Sequence, residues 1–570
     1  MQAMTQYRPS VPVACSATQS INLYKTEPPL VIPDPISQAM ARAQLHEDAA
    51  EPSQAEDIYR QLLVTHPRFH PAMQAWGLLA FRSGNLAFAA ELFRAAIGID
   101  GSVGLYYRNY GEISRRLGRF EEAVEAGLRA CALMPADVDA HFNLALALSD
   151  ARDRNRADLA YRKVLELQEP AVAQGRANAG LWNQRGVAWH RLQQFDEARL
   201  AYECALELDP GHVVALNSLG SLFKEIGQID DALQKFARAV EITPAFDDAR
   251  LNLGMAQLQS GDWEQGWANY EARWTGSAEG NTGTFARPAC PLPQWKGHGE
   301  NADQAILVYA EQGYGDTFQF ARFLDALCAR FARVALVCPW PHLQLLMEWS
   351  LGERVLLLKQ MPHDFSAWDW HCPMMSLPYA LGITLANLPA NTPYLHVSPL
   401  AQAYWQARLE RAAPLRLKVG LAWQGRRAHK SDWRRSIVFA RLAPLFALPG
   451  ITWVSMQKLE AGETKPAPAE TVSWLDWSEE LHDFADSAAL ASSLDLVISI
   501  DSAVVHLAGA LGKPVWMLNR HESEWRWLEG REDSPWYPGM RIFRQPGTGD
   551  WDSVLHEVRA ALDQLLKARA

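Results

Sequence analysis

Three short stretches in the second half of the chain place polar or charged residues where an apolar run ends. In AILVYAEQGYGDTFQFARFL, residues 305 to 324, the apolar run gives way to Gly313, Tyr314, Gly315 and Asp316, then to an amphipathic segment read as a helix from about Thr317. Glycines let the backbone turn sharply and approach a ligand without a Cβ in the way, and a helix start offers free N–H groups. Asp316 is there either as a proton acceptor facing a bound molecule or as a helix cap. One Gly-x-Gly does not make a dinucleotide fingerprint, since Gln319 and Phe320 stand where the third glycine belongs.

The second stretch, GLAWQGRRAHKSDWRRSI at 420 to 437, packs five basic side chains, Lys430 and Arg435 among them, and His429 into one loop. In an acidic protein such a loop suits an anion, most simply a diphosphate; a solvated surface loop is the alternative. Trp423 fits the core as well as a ligand. The third, LDLVISIDSAVVHLAGALGKPVWML, sets Asp501, Ser502 and Ala503 between a strand and a helix whose Ala508, Gly509 and Ala510 allow close packing. The N-terminus of that helix can hold a phosphate, with His506 near its first turn as a ligand or as a packed histidine. Asp501 would repel phosphate, so it is expected to cap the helix or orient a neighbour.

The elements that must position these motifs are short apolar runs alternating with helical patterns. AILVYA, VALVCP and VLLL, with a less regular segment around WDWHCPMM, form one block; KVGLAW, ITWVSM, LDLVISI and PVWMLN form another. Strands alternating with helices imply parallel sheets covered on both faces, with ligands at the carboxyl ends of the strands. The fold class expected is therefore α plus α/β: a helical repeat array, then two Rossmann-like lobes. The lobes are placed at 301–398 and 415–570, joined by a helix at 399–414 and preceded by a Gly, Pro and Thr-rich linker at 275–300.

Before residue 275 a different rule holds. Glycines or alanines at 77, 111, 145, 186, 220 and 254 are spaced 34, 34, 41, 34 and 34, the odd gap absorbed around EPAVAQGR. Twelve residues after those anchors come Ala89, Ala123, Ala157, Ala198 and Ala232, and sixteen after come Phe93, Tyr161, Tyr202, Phe236 and Tyr270. Pro135, Pro210 and Pro244 close their units, and Ala55, Tyr59 and Pro67 mark an earlier one, making seven. The period and its phased small, aromatic and proline positions resemble the tetratricopeptide family over 36–274, behind a leader at 1–35. Such stacks curve into a groove suited to a protein or peptide partner.

Composition excludes several classes. With 570 residues, a net charge of −11 and 48% hydrophobic residues, the chain is expected to be a multidomain globular protein and not a nucleic-acid binder. No apolar run is long enough for a membrane span, and the start lacks the pattern of a secretion signal. Seven dispersed cysteines without metal-ligand spacing predict reduced thiols and a cytoplasmic location.

Taken together and in order, the three motifs resemble a bacterial family that fuses tetratricopeptide repeats to a glycosyltransferase domain similar to the heptosyltransferases of glycosyltransferase family 9. The similarity runs from about 290 to 548 and includes WRWLEGREDSPWYPGMRIFRQ near its end; LNLGMAQLQSGDWEQGWANYEARW at the junction also belongs to it. The resemblance implies a GT-B fold and metal-independent, inverting transfer from a nucleotide-sugar co-substrate, with no other cofactor. It implies Asp316 as general base, Gly313 and Gly315 as the acceptor loop, and Ser502, Ala503, His506, Lys430 and Arg435 around the donor diphosphate. The repeat groove shifts the expected acceptor to a protein, flagellin or another surface protein. The alternatives are an inactive repeat adaptor with a nucleotide-sensing domain, or transfer to lipopolysaccharide or a glycolipid.

Overall fold

The computed structural model describes residues 34–275, 287–299, 301–427, 432–460 and 462–569. Among them, fourteen helices from Pro35–Asp48 to Trp263–Tyr270 form antiparallel pairs stacked into a solenoid. The phased residues explain the stacking: Ala89, Ala123, Ala157, Ala198 and Ala232 are all buried, as are the aromatics that follow them. The anchor glycine and the aromatic sixteen residues later pack face to face. A Cβ built on Gly77 would lie 2.8 Å from the Phe93 ring, on Gly220 2.7 Å from Phe236 and on Gly186 2.4 Å from Tyr202. Gly186→Ala is therefore expected to destabilise the array by about 1–3 kcal/mol, read by denaturant unfolding. The insert near EPAVAQGR prolongs one helix to Arg154–Ala173, running through Pro170 and ending before Gly175 at φ +64°.

Two parallel sheets follow. The first, in the order β3-β2-β1-β4, comprises β1 (Ala305–Tyr309), β2 (Arg333–Val337), β3 (Leu356–Leu358) and β4 (Trp370–Pro373). The second comprises β5 (Leu417–Ala422), β6 (Ile451–Ser455), β7 (Trp474–Leu475), β8 (Leu496–Ile500), β9 (Val515–Asn519) and β10 (Met540–Arg544), in the order β10-β9-β8-β5-β6-β7. All their pairings are parallel. The helix between the sheets spans Pro399–Ala412, and Trp551–Arg569 closes the chain against the second sheet. Strands β7 and β10 were not among the expected ones. The expected linker is partly structural: Gln294 bridges His371 of β4, and Trp295 beside it is buried.

The last repeat does not hang free. Its Trp263 stacks on Trp536 with ring centroids 4.9 Å apart, and Trp267 meets Trp525 edge-on at 5.3 Å. One continuous core therefore contains Trp263, Trp267 and Tyr270 of the array with apolar residues of both sheets. Among the described residues no helix is long and apolar enough to cross a membrane, and the six described cysteines are free thiols.

Candidate functional site

The glycine loop is tighter than the sequence suggested. The helix after β1 begins at Tyr314, not Thr317, with Gly313 as its N-cap, so Gly315 and Asp316 lie in its first turn. Asp316 accepts a hydrogen bond from the Gly313 N–H at 2.7 Å through Oδ2, and its other oxygen pairs with Arg526. The carboxylate is thus both a cap and an ion-pair partner. Arg526 is buried, donates to Gln319 Oε1 at 2.7 Å, and packs over the Trp525 ring at 4.1 Å. Burial opposes its charge, and the Glu524 and Asp316 carboxylates outweigh burial, holding the guanidinium above its ordinary value. Arg526 and its partner Glu524 are the site residues that sequence reasoning missed.

Gly315 faces the third motif directly. A Cβ there would come 2.7 Å from His506 Cδ2 and 3.4 Å from the Ala503 Cα, so the glycine permits the helix Tyr314–Phe320 to lie on the helix Ala503–Ala510. The N-cap of the latter is Ser502, whose hydroxyl accepts from the Val504 N–H at 3.3 Å; Asp501 is not the cap. Asp501 instead offers its backbone carbonyl to Arg435 at 3.0 Å.

His506 is placed as a packed histidine. It is buried, stacks on Trp527 at 5.2 Å, and shares a 2.9 Å hydrogen bond with the Tyr537 hydroxyl through Nδ1. Burial pushes its pKa down to about 3; Asp501 opposes this, while Arg526 and Arg322 add to it. The ring lies against Gly315, so it packs between the helices Tyr314–Phe320 and Ala503–Ala510. The unfolded chain protonates this histidine near its ordinary pKa of 6.5 and the folded one does not, so its contribution is complete above pH 6.5 and is lost as pH falls toward 3. His371, lowered to about 4 chiefly by burial, has the same sign. Denaturant melts at pH 7 and pH 4.5 should show a shallower acid loss for His506→Gln than for the wild type.

The basic loop after β5 turns at Gly425, where a Cβ would lie 2.2 Å from Asp432 Oδ1 and 2.6 Å from the Arg435 guanidinium. Arg435 bonds Asp432 at 3.2 Å as well as the Asp501 carbonyl, so it links the loop to the start of the helix Ala503–Ala510. Lys430 lies outside the described residues. The loop is docked on the repeats: Arg434 pairs with Glu225 of the array at 2.7 Å and with Glu522 at 2.8 Å, and Arg154 lies over the Trp433 ring at 4.3 Å. Glu225 also pairs with His190; burial works against its charge, and its His190 and Arg434 partners hold the carboxyl at about 2.

Profiles described as tetratricopeptide repeat match residues 40–103, 75–138, 138–170, 179–212 and 217–273, and the N-terminal region is a tetratricopeptide-repeat array. Over 513 residues the chain is 25% identical to Protein FlbA of Caulobacter vibrioides, spanning 86% of this chain and 84% of that protein. It is also 25% identical over 199 residues to BBSome complex member bbs-4 of Caenorhabditis elegans, 34% of this chain and 42% of that one. Among solved structures, a thermophilic tetratricopeptide-repeat protein of Thermus thermophilus aligns at 23% identity and a TM-score of 0.30, covering 33% of this chain and 99% of the other.

Proposed function

We propose that this tetratricopeptide-repeat protein, a distant relative of FlbA, is an inverting, metal-independent glycosyltransferase of GT-B type that moves a sugar from a nucleotide-sugar to a protein recruited by its repeats. The observation that carries the proposal is the contact of Gly315 with His506 and Ala503, which brings the acid at the end of β1 to the helix start at the end of β8. A base on one side of an anomeric carbon and a diphosphate site on the other are the two requirements of in-line displacement. In this scheme Asp316 takes the acceptor proton, and Gly313 and Gly315 let the acceptor approach. Ser502, Ala503, Arg435 and Lys430 hold the departing diphosphate, which needs oriented N–H groups and cations as its charge develops.

Support for a protein acceptor comes from the repeats. A cavity of about 170 Å³ on the array is lined by Leu78, Phe81 and Ile113 together with Arg108, Asn109, Glu112, Asp139 and Asn143, apolar and hydrogen-bonding groups side by side. Such a mixture suits an extended polypeptide, whose backbone needs polar partners and whose side chains need apolar contact. Flagellin or another surface protein is the acceptor class to test first.

The adaptor alternative draws on one specific feature, that both oxygens of Asp316 are already engaged, by Gly313 and Arg526. Incubating the protein with flagellin and a panel of nucleotide-sugars separates the two. Transfer adds one sugar mass to the acceptor and releases the nucleotide. An unchanged acceptor mass with every donor, together with an altered glycolipid in cells lacking the gene, would sink the protein-acceptor proposal.

A further inference from the structure

We propose that Lys224 of the repeat array and Arg520 at the end of β9 together form a binding site for the phosphate oxyanions of the nucleotide-sugar, so that the array completes the donor site. The inference rests on the transferase proposal and names residues to which neither the motifs nor the resemblance assigns a role.

Lys224 occupies the last turn of the helix Val213–Glu225, where a lysine ordinarily does no more than complement the helix dipole. Here the helix ends against the loop that follows β9. A Cβ on Gly227 would lie 4.0 Å from His521 Nε2, and Arg434 ties Glu225 on one side of the seam to Glu522 on the other. Arg520 is the first residue after β9, at the carboxyl end of a parallel sheet and one strand away from the helix start after β8. That is where open parallel sheets bind ligands.

Each of the two cations has a nitrogen without a protein partner among the described residues. Among the described residues Lys224 has no ion pair and no hydrogen bond, and the buried Nε of Arg520 has no acceptor. The neighbouring carboxylates are committed elsewhere: Glu225 to Arg434 and His190, Glu524 to Arg526. Burial lowers the Lys224 pKa, Glu524 opposes this, Arg520 lowers it further and Glu225 opposes it again. Two like charges on facing segments of this seam, with the nearby carboxylates engaged by other cations, are stabilised by a bound anion. Glu522, two residues after Arg520, has a buried Oε2 without a donor that can accept from a ribose or sugar hydroxyl. A phosphate-bearing sugar nucleotide supplies both chemistries at once.

The test is calorimetric titration of the full chain with inorganic pyrophosphate at fixed ionic strength. Wild type should bind, Lys224→Gln and Arg520→Gln should each weaken binding by roughly tenfold, and Lys224→Arg should stay close to wild type. Arg60→Gln, an exposed change far along the array, should have no effect. Arg520→Lys provides a second arm if Arg520→Gln fails to fold. Absence of pyrophosphate binding in the wild type, or equal affinity in Lys224→Gln, overturns the site. Turnover keeps this separate from the transferase proposal: transfer by Lys224→Gln with an unchanged donor KM removes the site and leaves the transferase standing, whereas Lys224-dependent pyrophosphate binding without transfer keeps the site and removes the transferase.

Discussion

Asp316→Asn should lower the transfer rate by a factor of roughly 10² to 10⁴ while leaving the chain folded. Asparagine retains an oxygen for the Gly313 N–H, so the helix keeps its cap, and Arg526 retains Glu524 and Gln319 after losing one carboxylate. The stability loss should therefore be modest, about 1–3 kcal/mol for one charged hydrogen bond lost at a partly buried site. Rate alone does not distinguish a base from a support for Arg526, and Arg526→Gln does. If Asp316 takes the acceptor proton, Arg526→Gln leaves the carboxylate in place and keeps substantial turnover, whereas Asp316→Asn does not. If Asp316 merely anchors Arg526, the two variants lose the same activity. Matched single-turnover rates of the two variants decide it.

What the sequence disclosed depends on how local each feature is. The repeat period was legible because helix–turn–helix units carry their packing rule inside 34 residues: Gly186 and Tyr202, or Gly220 and Phe236, meet across a single helical pair. Most strands were legible as apolar runs, since strands buried on both faces lose the polar alternation that would otherwise hide them. Two were not. Strand β7 is only two residues long, and β10 lies at the sheet edge with Arg541 and Arg544 inside its five residues, so its hydrophobic signal is diluted.

The site was legible only in its local parts. Gly313, Asp316, Ser502 and Ala503 sit at strand ends that any parallel-sheet reading singles out. Their partners lie far along the chain: Arg526 reaches Asp316 across 210 residues, and Trp536 reaches Trp263 across a longer separation still. Periodicity cannot report such pairs. The packing of His506 was hidden for a related reason. Its sequence neighbourhood is a helix start, which suggests a phosphate, whereas its surroundings are Trp527, Tyr537 and the glycine helix, which enforce a neutral ring.

Arg273→Ala should be among the most damaging single substitutions for stability, at about 3–5 kcal/mol. Arg273 ends the repeat array, yet its guanidinium grips Glu311, just beyond β1, through two bonds of 3.0 and 2.8 Å. It also donates to Glu271 at 2.7 Å and to the Ser376 hydroxyl at 2.8 Å. Both Arg273 and Glu311 side chains are only 5% exposed. Burial works against the arginine charge, and the Glu311 and Glu271 carboxylates more than offset it, so the guanidinium stays protonated. Truncating it leaves the buried Glu311 carboxylate with, among the described residues, the Met375 N–H for a partner. The effect should also reach the chemistry, because Glu311 leads directly into Gln312, which sits at φ 61° and bonds the Tyr270 hydroxyl, and then into Gly313. A released Glu311 lets that turn relax and carries Asp316 with it, so the surviving folded fraction should transfer more slowly than wild type. Replacing both partners, as Arg273→Met with Glu311→Leu, should recover most of the stability, since a buried pair exchanged for apolar side chains loses little. It should not recover the rate, because the apolar pair no longer fixes the turn before Gly313. Denaturant unfolding and single-turnover transfer measured on all three proteins test both halves; an Arg273→Ala protein within about 1 kcal/mol of wild type would show that the array and the first sheet do not depend on this grip.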